Sequence, residues 1–486
     1  MSSANANLLI ISDLHLGEDI RPGGMGALRH LVKLERELVA FLSHYTNERL
    51  GDRPWRLVIN GDMVDFLGVC LLPGDADLKA ETMSAEEQVW GLGTHPRAAR
   101  AKMERVLERH TGVFRSLAAF VAAGNDLDIV VGNHDVEFHW PVVQETFKKG
   151  VAQLTPAGAA RDLDQVAGAI HFHPWFYFEE NVAWVEHGHQ YDGYCSFDYV
   201  LQPAVDATSD PNSPTPSLAD EDSKEILLNV ASAGLRYVTN HSGGYKEGQE
   251  SWTFFGYLTW GISLGMNGLL RLATGFYLMS ARLIGLWRRF RAPGSKGHRR
   301  TLHRARIKEL ADQFRLGEDT LLAVDELRRA PIVQNLGKLL AALMLDKLLI
   351  YGAAAVMVMV FALALPWSWA LGAVGGTILV ATVASRRLER GRESLDPTAN
   401  MHRVTTEIRR RVHARYVVMG HTHEPQAVRL DDGGMYFNTG TWVQHGDPAP
   451  GAAHAHAFTH VMIHHEDSGP VAALCEWKDG ASREIR

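Results

Sequence analysis

The chain has 486 residues, of which 46% are hydrophobic and 22% charged. This balance is typical of an ordered globular protein and excludes a collagenous, low-complexity or largely disordered chain. The net charge is −7, from 49 Lys and Arg against 56 Asp and Glu, so we expect no nucleic-acid partner. Three cysteines far apart in the sequence argue against a disulfide framework or a thiolate zinc site, whereas 24 histidines supply many imidazole groups.

The first 200 residues alternate strand-like apolar runs with helical stretches, the pattern of a βαβ protein. The predicted strands are 8–11, 57–60, 127–131 and 182–186, and the predicted helices are 28–45 and 98–122. A tract rich in Ser, Pro and Asp, 208–224, marks the start of an insertion. Strand-like sequence returns at 415–419, 435–437 and 458–463. We therefore predict one α/β domain in two parts, 1–200 and 398–486, separated by a helical insert, 201–397.

Residues 348–385 contain no charged side chain. As one helix they would be about 57 Å long, against about 30 Å for the hydrocarbon core of a bilayer. Pro366 lies near the middle, so the pattern predicts a transmembrane hairpin of two spans, 348–365 and 367–384. Basic flanks, including Arg386 and Arg387, predict that both ends, and with them the α/β domain, lie in the cytoplasm. A helical hairpin buried in a soluble domain is the alternative.

A second apolar region, 252–290, is interrupted by arginines. Arg271, Arg282 and Arg289 fall on one helical face, which predicts an amphipathic helix in the membrane interface. Two further spans, or a cap helix packed on the core, are the alternatives. If catalytic residues before and after this region share one site, the number of spans between them must be even.

Five polar clusters each follow a predicted strand. They contain Asp13 and His15; Asp62 and Asp65; Asn133, His134 and Asp135; His187 and His189; and His421 and His423. Ligands collect at the strand ends of α/β sheets, so we expect these side chains to converge. Asp13 and His15 are two residues apart and would lie on the same side of an extended chain, as would His421 and His423. Carboxylate, amide and imidazole donors suit Mn, Fe, Zn, Co or Ni.

These ordered motifs resemble those of the calcineurin-like metallophosphoesterase superfamily: Asp-x-His, Gly-Asp-x-x-Asp, Gly-Asn-His-Asp, His-Gly and Gly-His-x-His. The resemblance implies a β-sandwich flanked by helices and a centre of two divalent metal ions, Mn among the candidates, bridged by Asp62. One ion would be held by Asp13, His15, Asp62 and His423, the other by Asp62, Asn133, His187 and His421. Such a pair clamps a phosphate and supplies hydroxide for in-line attack on phosphorus.

The resemblance also implies that His134 is a catalytic residue facing the leaving group. Asp65 would orient its imidazole, and Asp135 is the alternative for that role. His189, Arg271 and Arg282 are weaker candidates for substrate contacts.

Within the superfamily, the layout is similar to the UDP-2,3-diacylglucosamine hydrolase branch, in which a helical insert before the last motif holds acyl chains. Residues 12–16, 187–188 and 420–425 agree with that branch. His134 stands where the branch carries Arg, and the uncharged hairpin is absent from the branch. We therefore predict a membrane-attached phosphoric ester hydrolase acting on a phosphate ester or pyrophosphate, with a lipid-linked substrate as one candidate. The alternatives are a tethered phosphatase or phosphodiesterase for a soluble nucleotide or phosphoprotein, and an inactive scaffold.

Overall fold

The structure is a computed structural model that describes residues 6–22, 25–75, 78–206, 224–241, 254–291, 295–390, 396–431, 433–443 and 456–485. Nearly all of the predicted linker, 208–224, lies outside the described residues.

The described strands fall close to the runs expected from the sequence, with several more besides. They are β1 (Asn7–Ile11), β2 (Trp55–Asn60), β3 (Asp126–Val130), β4 (Ile170–His173), β5 (Phe176–Glu179), β6 (Ala183–Glu186), β7 (Ala204–Asp206), β8 (Lys224–Ile226), β9 (Tyr416–Met419), β10 (Gln426–Arg429), β11 (Met435–Asn438), β12 (Thr459–Glu466), β13 (Gly469–Lys478) and β14 (Ala481–Glu484).

The described α-helices lie between these strands. They are α1 (Met25–Asn47), α2 (Glu87–Trp90), α3 (Pro96–Arg109), α4 (Thr111–Ala122), α5 (Pro141–Ala152), α6 (Leu163–Gly168), α7 (Val230–Tyr237), α8 (Phe254–Ser263), α9 (Gly265–Arg291), α10 (Ser295–Phe314), α11 (Glu318–Asp325), α12 (Leu336–Ala342), α13 (Leu345–Ala364), α14 (Trp367–Arg390) and α15 (Thr398–Val412).

Two mixed sheets organise the fold. The larger has the order β14-β13-β12-β1-β2-β3-β4, and the smaller has the order β10-β11-β9-β6-β5. Strands β1 to β4 run parallel, with Ile11 opposite Ile59 and Ile59 opposite Ile129. In the smaller sheet β9 is parallel to both β6 and β11. Parallel neighbours end at the same edge of a sheet, so the chain segments that follow them are brought together.

Successive side chains of β1 point to opposite faces, and both faces are buried. Leu8 and Ile10 lie in a core cluster shared with residues of β6 and β9, so the two sheets pack on each other. Leu9 and Ile11 lie in a cluster with residues of α1, α3, α4 and α5, which cover the outer face of the larger sheet. The predicted α/β class, with parallel strands flanked by helices, is confirmed.

Two details differ from the expectations. The predicted helix 98–122 is two helices, because His110 leaves the helical conformation between α3 and α4 and its ring contacts the carboxylate of Glu35. Part of the predicted insert also belongs to the core. Ile307 of α10 and Leu321 of α11 join the cluster that covers the outer face of the smaller sheet.

The uncharged segment forms two antiparallel helices, as predicted. Helix α13 ends and α14 begins on either side of Leu365 and Pro366, and Tyr351 donates a hydrogen bond to Ser385 at 3.1 Å. Large apolar side chains at the turn face outward, with Leu363 82% and Trp367 79% exposed. The hairpin is therefore not buried in the domain, and that alternative is wrong.

Among the described residues, three helices are long and apolar enough to cross a membrane: Gly265–Arg288, Leu345–Ala364 and Trp367–Leu388. The first of these lies within α9, which packs one face on the core. Met279 and Leu283 of α9 are buried in a cluster with residues of α7 and α12. Gly275 lets α9 approach the carbonyl of Tyr237, where a Cβ would collide. Helix α9 thus has one face on the core and an exposed apolar face that includes Met266 and Leu270, and its place in the membrane interface stays a prediction.

Candidate metal centre

The five polar clusters meet at one edge of the two packed sheets. Three of them follow the parallel strands β1, β2 and β3 of the larger sheet, and two follow the parallel strands β6 and β9 of the smaller sheet. The convergence expected from the strand ends is therefore observed, although the last two strands are separated in sequence by the whole insert.

The first group of potential ligands contains Asp13, His15 and His423, whose ligand atoms all lie within 4.8 Å of one another. His423 Nε2 is 3.1 Å from Asp13 Oδ1 and 3.4 Å from His15 Nε2. His15 Nε2 is also 4.0 Å from Asp62 Oδ2. These are the side chains that the resemblance assigns to one metal ion.

The second group contains Asp62, His187 and His421. His187 Nε2 is 3.2 Å from Asp62 Oδ2 and 3.2 Å from Asn133 Oδ1. Asp62 belongs both to this group and to a group with His15 and His134, so it stands between the two sets of ligands. A bridging carboxylate requires this position.

The backbone brings these side chains together by a route that the sequence reasoning did not anticipate. Five of the predicted ligands have positive φ angles: Asp13 (54°), His15 (47°), Asp62 (53°), His421 (71°) and His423 (61°). The expectation of an extended chain at these pairs is wrong, because the strands end at Ile11 and Met419 and left-handed turns follow. Such angles cost about 1–3 kcal/mol each and concentrate at functional sites.

Burial opposes ionisation of the carboxylates, but neighbouring imidazoles outweigh that effect. His423 and His187 lower the pKa of Asp13 to about 2. His187 and His134 hold the pKa of Asp62 well below its usual range despite burial. Burial likewise disfavours the charged form of His187, yet Asp62 and Asp13 raise its pKa to about 9. The centre therefore keeps ionised carboxylates in a buried place, which requires compensating positive charge.

His134 lies beside this cluster without belonging to the predicted ligand set. Its backbone N–H donates to Asp62 Oδ1 at 2.9 Å, and its ring Nδ1 is 2.9 Å from Asp65 Oδ1. Asp65 therefore occupies the orienting position, since the carboxylate of Asp135 accepts hydrogen bonds from the backbone N–H groups of Gly132 and Met63 instead. These contacts of Asp135 link the second and third motifs. They do not indicate the alternative role, in which Asp135 would orient His134.

The donor set suits hard or borderline divalent cations. Ionised carboxylates, imidazole nitrogens and one amide oxygen face one another at distances that a bound ion could bridge, so the residues present can hold metal ions. A further group, Asp192, Cys195 and His421, shares one histidine with the centre. Sequence reasoning missed Asp192, which follows the His187-Gly188-His189 cluster without any recognisable spacing.

The predicted substrate contacts are dispersed. His189 is buried next to the centre, its ring 5.5 Å from that of His187 and 2.7 Å from the amide of Gln190. Arg282 forms an ion pair with Glu86 on the core, and Arg271 lines a cavity beside α9. Arg282 is therefore paired with a carboxylate of the protein, and contact of these three side chains with a substrate stays a prediction.

Neither a protein-family model nor a curated protein matches this chain. Functional inference therefore depends on the arrangement of side chains described above.

Proposed function

We propose that this chain is a membrane-attached phosphoesterase with a centre of two divalent metal ions. The observation that carries the proposal is the convergence of ligand groups from five strand ends around one shared carboxylate, Asp62. Two divalent cations held there would polarise the phosphate and activate a water for attack on phosphorus. This is the metallophosphoesterase sandwich and activity that the sequence motifs imply.

The chain's own residues supply a proton donor for the leaving group. Asp65 accepts the hydrogen bond from His134 Nδ1, which leaves Nε2 to face the substrate. The side chain of His134 is 18% exposed, whereas those of Asp62 and His187 are almost fully buried. His134 can therefore reach a substrate without leaving its partner, and its protonated ring can donate to the oxygen of the departing group.

Topology supports α13 and α14 as the membrane-spanning pair. The ligand atoms of Asp62, His187 and His421 lie within 4.8 Å of one another, so an even number of crossings separates residue 187 from residue 421. Since α9 packs on the core, the hairpin alone gives two crossings. The basic residues after the hairpin, Arg386 and Arg387, favour a cytoplasmic position for both its ends and for the metal centre.

A cavity of about 490 Å³ beside α9 favours an amphiphilic substrate. Its lining includes His241, Asn267 and Arg271, while Met266 and Leu270 on the same helix are exposed. Residues 240 and 241 join the cavity to the chain segment that follows Asp65. His241 Nε2 is 3.9 Å from the thiol of Cys70, and the neighbouring Asn240 donates to the carbonyl of Leu67 at 2.7 Å, two residues from Asp65. A cationic side chain in the cavity and exposed apolar side chains on the same helix fit a lipid-linked phosphate.

The first experiment measures hydrolysis of an aryl phosphodiester and its monoester by the detergent-purified protein, with Mn²⁺ and with chelator. We expect metal-dependent turnover that Asp62→Asn abolishes. Asp126→Asn is the matched control, because Asp126 opens β3 at the end remote from Asn133 and pairs with Arg56 and Arg161. Equal turnover by wild type and Asp62→Asn would refute the mechanism, and metal binding without turnover on any phosphate ester would support an inactive scaffold.

The substrate class requires a second comparison. Arg271→Gln should reduce hydrolysis of a phosphate ester presented in mixed micelles while leaving turnover of the soluble aryl ester unchanged. Equal effects on both substrates would favour an enzyme that is only tethered to the membrane.

Membrane topology is tested in the full chain by cysteine labelling, since the three native cysteines are buried. Ser368 at the hairpin turn and Ala399 after the hairpin are exposed. We expect Ser368→Cys to react with an impermeant reagent from the outer side and Ala399→Cys only from the inner side. Labelling of both variants from one side would contradict the hairpin.

A further inference from the structure

A buried carboxylate outside the predicted motifs contacts the first histidine of the last motif. Asp192 Oδ2 is 3.1 Å from His421 Nε2, and both side chains are at most 10% exposed. An ionised carboxylate can only accept a hydrogen bond, so the proton of this contact belongs to His421 Nε2. His421 then has only Nδ1 left as a lone-pair donor.

The same division of roles holds at His187 with the nitrogens exchanged. His187 Nδ1 lies 2.9 Å from the carbonyl oxygen of Asn60, a group that can only accept, so Nδ1 carries the proton. His187 Nε2 faces Asp62 and Asn133. Each imidazole in the second ligand group therefore has one nitrogen held by a partner outside the predicted ligand set, which leaves the other nitrogen as the atom that would bind a metal ion.

Asp192 is itself held in place by its own short turn. Its Oδ1 accepts the backbone N–H of Tyr194 at 2.8 Å, and its backbone carbonyl accepts the N–H of Ser196 at 2.8 Å. His421 is fixed from the other side, since its backbone N–H donates to Asp13 Oδ2 at 3.2 Å. The contact between the two side chains therefore joins two segments that are each held by further hydrogen bonds.

Cys195 completes the same local group, but it does not offer a thiolate. Burial and the adjacent Asp192 carboxylate raise the pKa of the Cys195 thiol well above its usual range. The thiol therefore donates a hydrogen bond to Asp192. Asp192 accepts hydrogen bonds from Cys195 and His421, and these three residues do not form a second metal site.

We propose that Asp192 is a positioning residue of the metal centre, which fixes the tautomer and the ring orientation of His421 so that Nδ1 is presented to the second metal ion. This inference rests on the proposed metal centre. Partners of this kind change metal affinity by about 10- to 100-fold when they are removed.

The test measures Mn²⁺ binding to the detergent-purified full chain by calorimetric titration, without substrate. Asp192→Ala should weaken binding of one of two ions by about 10- to 100-fold and leave the other unchanged. Asp192→Asn keeps an oxygen that accepts from His421 Nε2, so its affinity should stay within about 3-fold of wild type. Asp198→Asn is the matched control, because Asp198 accepts from Gln334 in the same segment without contact to a predicted ligand.

The outcomes separate the inference from the proposed function. Two unchanged affinities in Asp192→Ala would overturn the positioning role while leaving the centre intact. An Asn variant as weak as the Ala variant would overturn it as well, since a direct metal ligand would behave in that way. Absence of Mn²⁺ binding in the wild type would refute the metal centre and, with it, both proposals. If Asp192→Ala does not fold, the Asn variant still decides between a positioning residue and a ligand.

Discussion

The close approach of two motifs at Gly132 leads to a prediction whose magnitude can be worked out. A Cβ at residue 132 would stand 2.6 Å from the backbone nitrogen of Asp62 and would collide with its Oδ1. The backbone of Gly132 has no positive φ, so Gly132→Ala adds this contact alone. Overpacking of this kind costs about 1–3 kcal/mol. If Asp62 moves to relieve this collision, metal binding loses the same free energy. The affinity for Mn²⁺ should then fall by about 5- to 150-fold.

Mn²⁺ titration and thermal unfolding of the apoprotein are the appropriate measurements for Gly132→Ala. Gly112→Ala is the matched control, since Gly112 lies in α4 and a Cβ there meets nothing within 4 Å. We expect the control to bind Mn²⁺ like wild type and to unfold at the same or a slightly higher temperature. Wild-type affinity and wild-type stability in Gly132→Ala would refute the close packing of the second and third motifs.

Two further predictions concern the proposed catalytic pair, His134 and Asp65, and the core. Asp65→Asn should lower kcat about 10- to 100-fold with Mn²⁺ stoichiometry unchanged, because a neutral amide no longer stabilises the protonated ring of His134 that donates to the leaving group; loss of metal instead would place Asp65 among the ligands. Burial lowers the pKa of His460 to about 3. Below about pH 6.5 the unfolded chain therefore binds a proton at His460 that the folded chain does not. As the pH falls below this value, the free energy of unfolding should decrease by about 1.4 kcal/mol per pH unit. His460→Gln should flatten this dependence in thermal unfolding measured from pH 7 to pH 5, and an equally steep slope would contradict it.

The sequence predicted the strands that precede the five motifs because apolar runs ending in polar clusters are local signals. The boundaries of β1, β2 and β9 differ from the predicted ones by no more than two residues. The break between the two helices of the hairpin at Pro366 could be predicted in the same way, because proline constrains the backbone locally. These features depend on neighbours in sequence.

Long-range contacts could not be predicted in the same way. The carboxylate of Glu186 accepts hydrogen bonds from Trp175, Trp184 and Tyr191, a network that fixes the end of β6 beside His187. Nothing in the spacing of these residues distinguishes them from ordinary core aromatics. The contact of Asp192 with His421 spans the whole insert and depends on the pairing of β6 with β9.

The pairing of β6 with β9 also orders events during synthesis of the chain. β6 ends at Glu186, whereas β9 begins at Tyr416, after the hairpin has been made. His421 and His423 therefore reach the centre only once the hairpin has turned back. With one span inserted instead of two, both histidines would be left on the far side of the bilayer from Asp13 and His187. If the hairpin spans the membrane and the centre binds metal ions, as proposed, a nascent chain with incorrect topology would be unable to complete its ligand set, and metal binding would depend on correct insertion into the membrane.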